Sequence, residues 1–98
     1  MVELFYFWFK NNKQMLKQKG IETDLLLVPT LTDNPATFAD HITETKMGRV
    51  SIWDSGSLNL EVLDQSTGKT VYFKDIEILD KNPNMEQLLS EYFEALLR

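Results

Sequence analysis

From Gly48 to Ile78 apolar and polar residues alternate almost throughout. That is the period of strands with one buried and one wetted face. Two turn signals, Asp54-Ser55-Gly56-Ser57 and Gln65-Ser66-Thr67-Gly68-Lys69, divide the stretch into the three strands of an antiparallel meander. Gly56 and Gly68 can supply the positive φ that tight hairpin loops need. Val50, Ile52, Leu58, Leu60 and Val62 form the expected inner face. Arg49, Ser51, Trp53, Asn59, Glu61 and Leu63 take the opposite parity. The last strand, Thr70 to Leu79, breaks the rhythm, because Val71 and Phe73 share one parity while Ile76 and Ile78 share the other. A bulge near Lys74 or Asp75 is expected to bring both pairs to the core.

Ahead of the meander, Val2 to Lys19 reads as a helix with Phe5, Trp8, Phe9, Asn12 and Leu16 on one face, capped at its C-terminus by Gly20. Tyr6 and Phe7 stand off that stripe, so either the domain wraps the start of the helix or its aromatic surface meets a partner. A strand from Ile21 to Pro29, a loop from Thr30 to Pro35 and a second strand from Ala36 to Thr45 follow, with Lys46-Met47-Gly48 as the turn into the meander. After the meander, Asn82 or Asn84 caps a final helix with Met85, Leu88, Leu89, Tyr92, Phe93 and Leu96 at helical spacing. The order predicts an α+β two-layer sandwich. Its antiparallel sheet has four to five strands in near-sequential order, with both terminal helices on one face. The other face stays open, and Arg49, Ser51, Trp53, Asn59 and Glu61 are expected there, joined by His41 and Thr43.

Residues 1–98 fit a single domain. Cysteine is absent, which excludes disulfides and thiolate metal sites and suits a reducing compartment. No stretch approaches the roughly 18 to 20 apolar residues of a membrane span. The apolar N-terminus lacks a preceding basic region and a cleavage site, so it reads as mature helix and the expected location is cytoplasmic. The net charge of -5 is unevenly spread. Lys10, Lys13, Lys17 and Lys19 against Glu3 make the first helix basic, so the acidity belongs to the sheet, its loops and the last helix. Such a surface repels nucleic acid and attracts basic partners. His41 stands alone, no glycine-rich loop opens a helix, and the carboxylates lack the spacing of metal sites. No enzyme, cofactor or metal is expected.

The stretch G-R-V-S-I-W-D-S-G-S-L-N-L-E-V-L-D-Q-S-T-G-K resembles the small TriTu-type immunity proteins of bacterial contact-dependent growth inhibition. The aromatic-rich helix before it and the L-L-S-E-Y-F-E-A-L-L helix after it extend the resemblance over nearly the whole layout. It implies a non-catalytic inhibitor that binds a cognate toxin in the cytoplasm, the toxin being a transfer RNA nuclease that works with elongation factor Tu. A nuclease presents cations to phosphates, so acidic side chains are the natural contacts. The candidates are Asp33, Asp40, Glu44, Asp54, Glu61 and Asp64, with Trp53 as a central anchor. The alternative is an adaptor or regulatory subunit that binds another host protein.

Overall fold

The computed structural model describes residues 1–27 and 34–98. Helix α1 (Val2–Gln18) leads into β1 (Glu22–Leu27), β2 (Ala36–Ile42), β3 (Lys46–Trp53), β4 (Ser57–Asp64) and β5 (Thr70–Glu77), and helix α2 (Met85–Leu97) closes the order. The five strands form one antiparallel sheet in the order β1-β2-β3-β4-β5. Helix α1 covers β1 and β2, while α2 lies over β3, β4 and β5. This is the expected α+β sandwich with five strands. The end of the first expected strand and most of the loop after it, including Asp33, lie outside the described residues.

Local chemistry sets the ends of the elements. Gly20, at φ 90°, terminates α1: its N–H donates to Lys17 O at 3.0 Å and the Ile21 N–H to Leu16 O at 2.9 Å. Leu16 and Ile21 are both buried in the core, the apolar contact that accompanies this pattern of C-terminal bonds. At α2 the capping residue is Asn84 rather than Asn82, its Oδ1 accepting from the Gln87 N–H at 3.1 Å. The first hairpin differs from expectation. Its turn is Glu44-Thr45, and Lys46, Met47 and Gly48 already belong to β3. The Thr43 hydroxyl accepts from the Lys46 N–H at 3.0 Å, and the Gln65 side-chain amide bonds Thr43 O at 2.7 Å and Lys46 O at 2.9 Å. Side chains therefore close a turn in which no residue adopts positive φ.

The last strand is also a correction. Its register shift lies opposite Val62 and Leu63, near Val71, and not at Lys74 or Asp75. Tyr72, Lys74 and Ile76 consequently face the helices, while Val71 and Phe73 are 41% and 57% exposed. A buried Lys74–Asp75 bulge would have cost ladder bonds in mid-strand. The irregularity sits instead beside the loop, where pairing is ending anyway.

The core lies between the helices and the inner parity of the sheet. Phe5, Phe9 and Leu16 of α1 and Leu89, Tyr92 and Leu96 of α2 meet Ala39, Val50, Ile52, Leu58, Leu60 and Val62. Each large side chain buried this way contributes about 1.5–3 kcal/mol. Trp8 stacks on Phe93 at 6.1 Å, and Phe7 remains 53% exposed, so only part of the α1 aromatic surface is used internally.

His41 and Thr43 turn toward the helices, against the expectation that they join the open face. His41 is fully buried beside Phe9 and Phe93, and its Nδ1 lies 2.6 Å from the Tyr92 hydroxyl. Thr43 donates its hydroxyl to Leu96 O at 3.2 Å, at the C-terminal end of α2. The reason is a polar need inside the core: Tyr92 is buried and its hydroxyl requires a partner. Directly across the ladder from His41 stands Gly48, where a Cβ would come within 2.6 Å of the Tyr92 hydroxyl oxygen. The glycine is thus a requirement of close approach rather than of turn geometry. Burial holds the imidazole down to about 4, against the opposing charge of Asp40, and burial pushes the Tyr92 phenol well above its ordinary value. Both groups are neutral at pH 7.

Two outcomes are expected. Gly48→Ala should destabilise the protein by about 1–3 kcal/mol, seen as a lower urea midpoint at unchanged slope. Tyr92→Phe should recover part of that loss in the Gly48→Ala background while being destabilising alone, because it then leaves His41 Nδ1 unpaired. The second concerns pH. The unfolded chain protonates His41 below about 6.5 and the folded chain only near 4, so stability is full above pH 6.5 and falls between those values. The loss amounts to about 3 kcal/mol, and urea unfolding at stepped pH should show it in the parent and lose that slope in His41→Phe.

Candidate functional site: the open face of the sheet

Residues paired directly across an antiparallel ladder project to the same side. The register therefore orders the helix-free face into rows. One runs Glu22, Ile42, Met47, Leu63, Thr70; the next Asp24, Asp40, Arg49, Glu61, Phe73; the third Leu26, Phe38, Ser51, Asn59, Asp75. Large apolar side chains stay in water on this surface: Leu26 is 60% exposed, Ile42 55%, Met47 43% and Phe73 57%. Several such residues on one face, among charges, make it the candidate interaction surface.

The charges are of one sign almost throughout. Glu22, Asp24, Asp40, Glu61, Asp75 and Glu77 share the face with Arg49, the one cation there among the described residues. Arg49 stands between Asp40 and Glu61 in the ladder, and it chooses Asp40. Its Nε and Nη2 donate to the two carboxylate oxygens at 2.6 and 2.9 Å. Its guanidinium carbon also lies 5.4 Å from the centre of the Phe38 ring, and Phe38 meets Trp53 edge-on at 6.1 Å. The fork on Asp40 raises the Arg49 pKa above its ordinary value, hydrogen bonding acting first and charge second. It also relieves the repulsion between Asp24 and Asp40, which are direct ladder neighbours. Glu61 makes no hydrogen bond or ion pair among the described residues. Beside it opens a groove of about 300 Å³ lined by Ile42, Met47, Leu63, Asp40, Arg49 and Glu61.

The sequence candidates divide by position. Asp40 and Glu61 flank Arg49 on the open face, and Trp53 lies on the same face two rows along, opposite Ala36. Asp54 is exposed in the turn after β3, and Glu44 in the turn at the opposite end of the sheet. Asp64 lies at that same end and is committed to the β4–β5 loop. Its Oδ1 accepts from the Ser66 hydroxyl at 2.6 Å, the Ser66 N–H at 2.9 Å and the Thr67 N–H at 3.1 Å. Those bonds, with Lys46 at 3.6 Å, hold its carboxyl down to about 2. Asp33 lies outside the described residues. Sequence reasoning missed Ile42, Met47 and Phe73 as residues of this surface: Met47 falls in the expected turn, and an apolar residue in a strand, such as Phe73, is read as core until register says otherwise.

Helix α1 and the open face of the sheet carry opposite charge. Lys10, Lys13 and Lys17 are exposed on α1, with Lys19 just beyond it, while the carboxylates gather on the sheet. Among the described residues no group of three or more His, Cys, Asp and Glu side chains could hold a metal ion. Among them, too, no helix is long and apolar enough to cross a membrane. No curated protein matches the chain. The family model described as immunity protein TriTu matches residues 3–95, a span that takes in all five strands and nearly all of α1 and α2. With a match over nearly its whole length, the chain belongs to the TriTu immunity-protein family.

Proposed function

We propose that this immunity protein binds its cognate toxin domain through the open face of the sheet and neutralises it by covering the active site. The toxin in this reading is a cationic nuclease acting on transfer RNA in a contact-dependent growth inhibition system, with elongation factor Tu as a further component of the complex. The inhibitor works in the cytoplasm by binding alone. It needs no cofactor and no contact of its own with nucleic acid or membrane.

One observation carries the reading: the helix-free face combines exposed apolar side chains with carboxylates that greatly outnumber its cations. An immunity protein must bind a partner, and a nuclease active site is rich in cations for phosphate. A surface of this composition fits such a site by both charge and area. Asp40, Trp53 and Glu61 are the central contacts, Trp53 acting as a rigid aromatic anchor next to Phe38. Asp54 lies at one rim and Glu44 at the opposite one, Asp33 is a further acidic contact in this reading, and Asp64, held by its loop, adds to the field of the face and not to its contacts. The exposed lysines are gathered on α1 and not on the open face, an uneven charge distribution that helps to orient the molecule during approach.

The test is co-expression of the chain with the C-terminal domain encoded by the adjacent large gene, followed by affinity capture in moderate salt. Growth should be rescued and a nuclease domain recovered in stoichiometric amount. Capture of an unrelated host protein, with the toxin domain unbound and cells unprotected, favours the adaptor reading instead. Stopped-flow association should slow by about tenfold or more as salt shortens the Debye length from about 30 Å to about 3 Å. A rate indifferent to salt removes the electrostatic part of the reading.

A further inference from the structure

The groove beside Glu61 has a chemistry more specific than the acidic face around it. Its one side is apolar, formed by Ile42, Met47 and Leu63, which are direct ladder neighbours; its other side is the charged row of Asp40, Arg49 and Glu61. Between them lies the strand backbone of His41 and Gly48, because both positions have the inner parity: the His41 ring is in the core and a Cβ at Gly48 would point at Tyr92. At about 300 Å³ it is at the lower limit of small-molecule sites, the scale of a single long side chain.

Its charge balance is settled by the Arg49 fork. Arg49 is the ladder neighbour of both carboxylates, yet both of its bonding nitrogens go to Asp40 and its plane rests near Phe38. Asp40 is neutralised and Glu61 is left as a half-buried carboxylate without a partner among the described residues. A groove with an apolar wall for methylenes and one surplus negative charge matches an amphipathic cation, whose stem packs on apolar surface while its head pairs.

We infer that this groove is the anchor point for one lysine or arginine side chain of the toxin domain, its stem against Ile42, Met47 and Leu63 and its cationic head on Glu61. Arg49 is a positioning residue here: by occupying Asp40 it keeps the groove open and its charge at a single surplus carboxylate. The inference rests on the immunity reading for the identity of the partner, while the groove's chemistry stands apart from it.

Two arms of one experiment separate the two. In the first, acetyl-Gly-Arg-Gly-amide and acetyl-Gly-Lys-Gly-amide are titrated into the ¹⁵N-labelled full chain, with acetyl-Gly-Glu-Gly-amide as control. Saturating shifts should be confined to the amides around Ile42, Met47, Gly48 and Leu63, be absent with the glutamate peptide, and be largely lost in Glu61→Gln. Shifts spread over all acidic positions, or unchanged in Glu61→Gln, overturn the groove. In the second arm, Glu61→Gln should weaken binding of the toxin domain by about tenfold, whereas Glu86→Gln, which removes the same charge from the helix layer, should change it by less than about twofold. Equal effects of the two variants overturn the anchor. A parent chain that does not bind the toxin domain overturns the immunity reading, and the peptide titration then decides the groove by itself.

Discussion

The contact between Tyr92 and His41 across Gly48 is the constraint on which the arrangement of the two layers depends. Apolar packing alone would hold α2 against the sheet, but dispersion and burial are tolerant of small slides along the helix axis. A buried hydroxyl is not. Tyr92 has a partner in one position only, at 2.6 Å from His41 Nδ1, and it fits there because β3 offers a glycine directly opposite the histidine. Thr43, two residues beyond His41, repeats the logic at the end of the helix by bonding Leu96 O. The same element thus sets the depth and the axial position of α2.

That arrangement has a consequence on the other side of the sheet. With His41 and Thr43 drawn inward, the alternate residues of β2, Phe38, Asp40 and Ile42, must point outward, and the pairing of β2 with β3 lines them up with Ser51, Arg49 and Met47. A one-residue slip would reverse every side chain. The polar contact in the core therefore also determines which residues form the exposed rows, and the single fork between Arg49 and Asp40 determines which carboxylate among them is left open.

An immunity protein needs a surface for its toxin, and the structure concentrates its internal work on one layer. The histidine, whose isolation in the sequence left its role open, is consumed as a neutral core group. Asp64 is consumed by the loop that joins β4 and β5. What remains uncommitted is the outer face, where acidic and apolar side chains alternate by row. A cationic partner can be attracted at long range by the first and held at short range by the second.

The elements themselves were legible in the chain, because their causes are local. Alternation over Gly48 to Ile78, the apolar run ahead of Pro29, the alternation of Ala36 to Thr45, the glycine after α1 and the apolar stripe of α2 each depend on neighbours a few residues away, and together they suffice for five strands between two helices. So did the acidity of the sheet and the resemblance that the family match bears out. The start of β3, the site of the β5 bulge and the direction of His41 were decided only in three dimensions, by Gln65 reaching across to Thr43 and by the needs of the Tyr92 hydroxyl. The proposed docking face was half legible for the same reason. Asp40, Trp53 and Glu61 could be named from charge and aromaticity, but the meeting of Asp40 and Glu61 with Ile42, Met47 and Leu63 follows from strand register, which long-range pairing sets and no local pattern encodes.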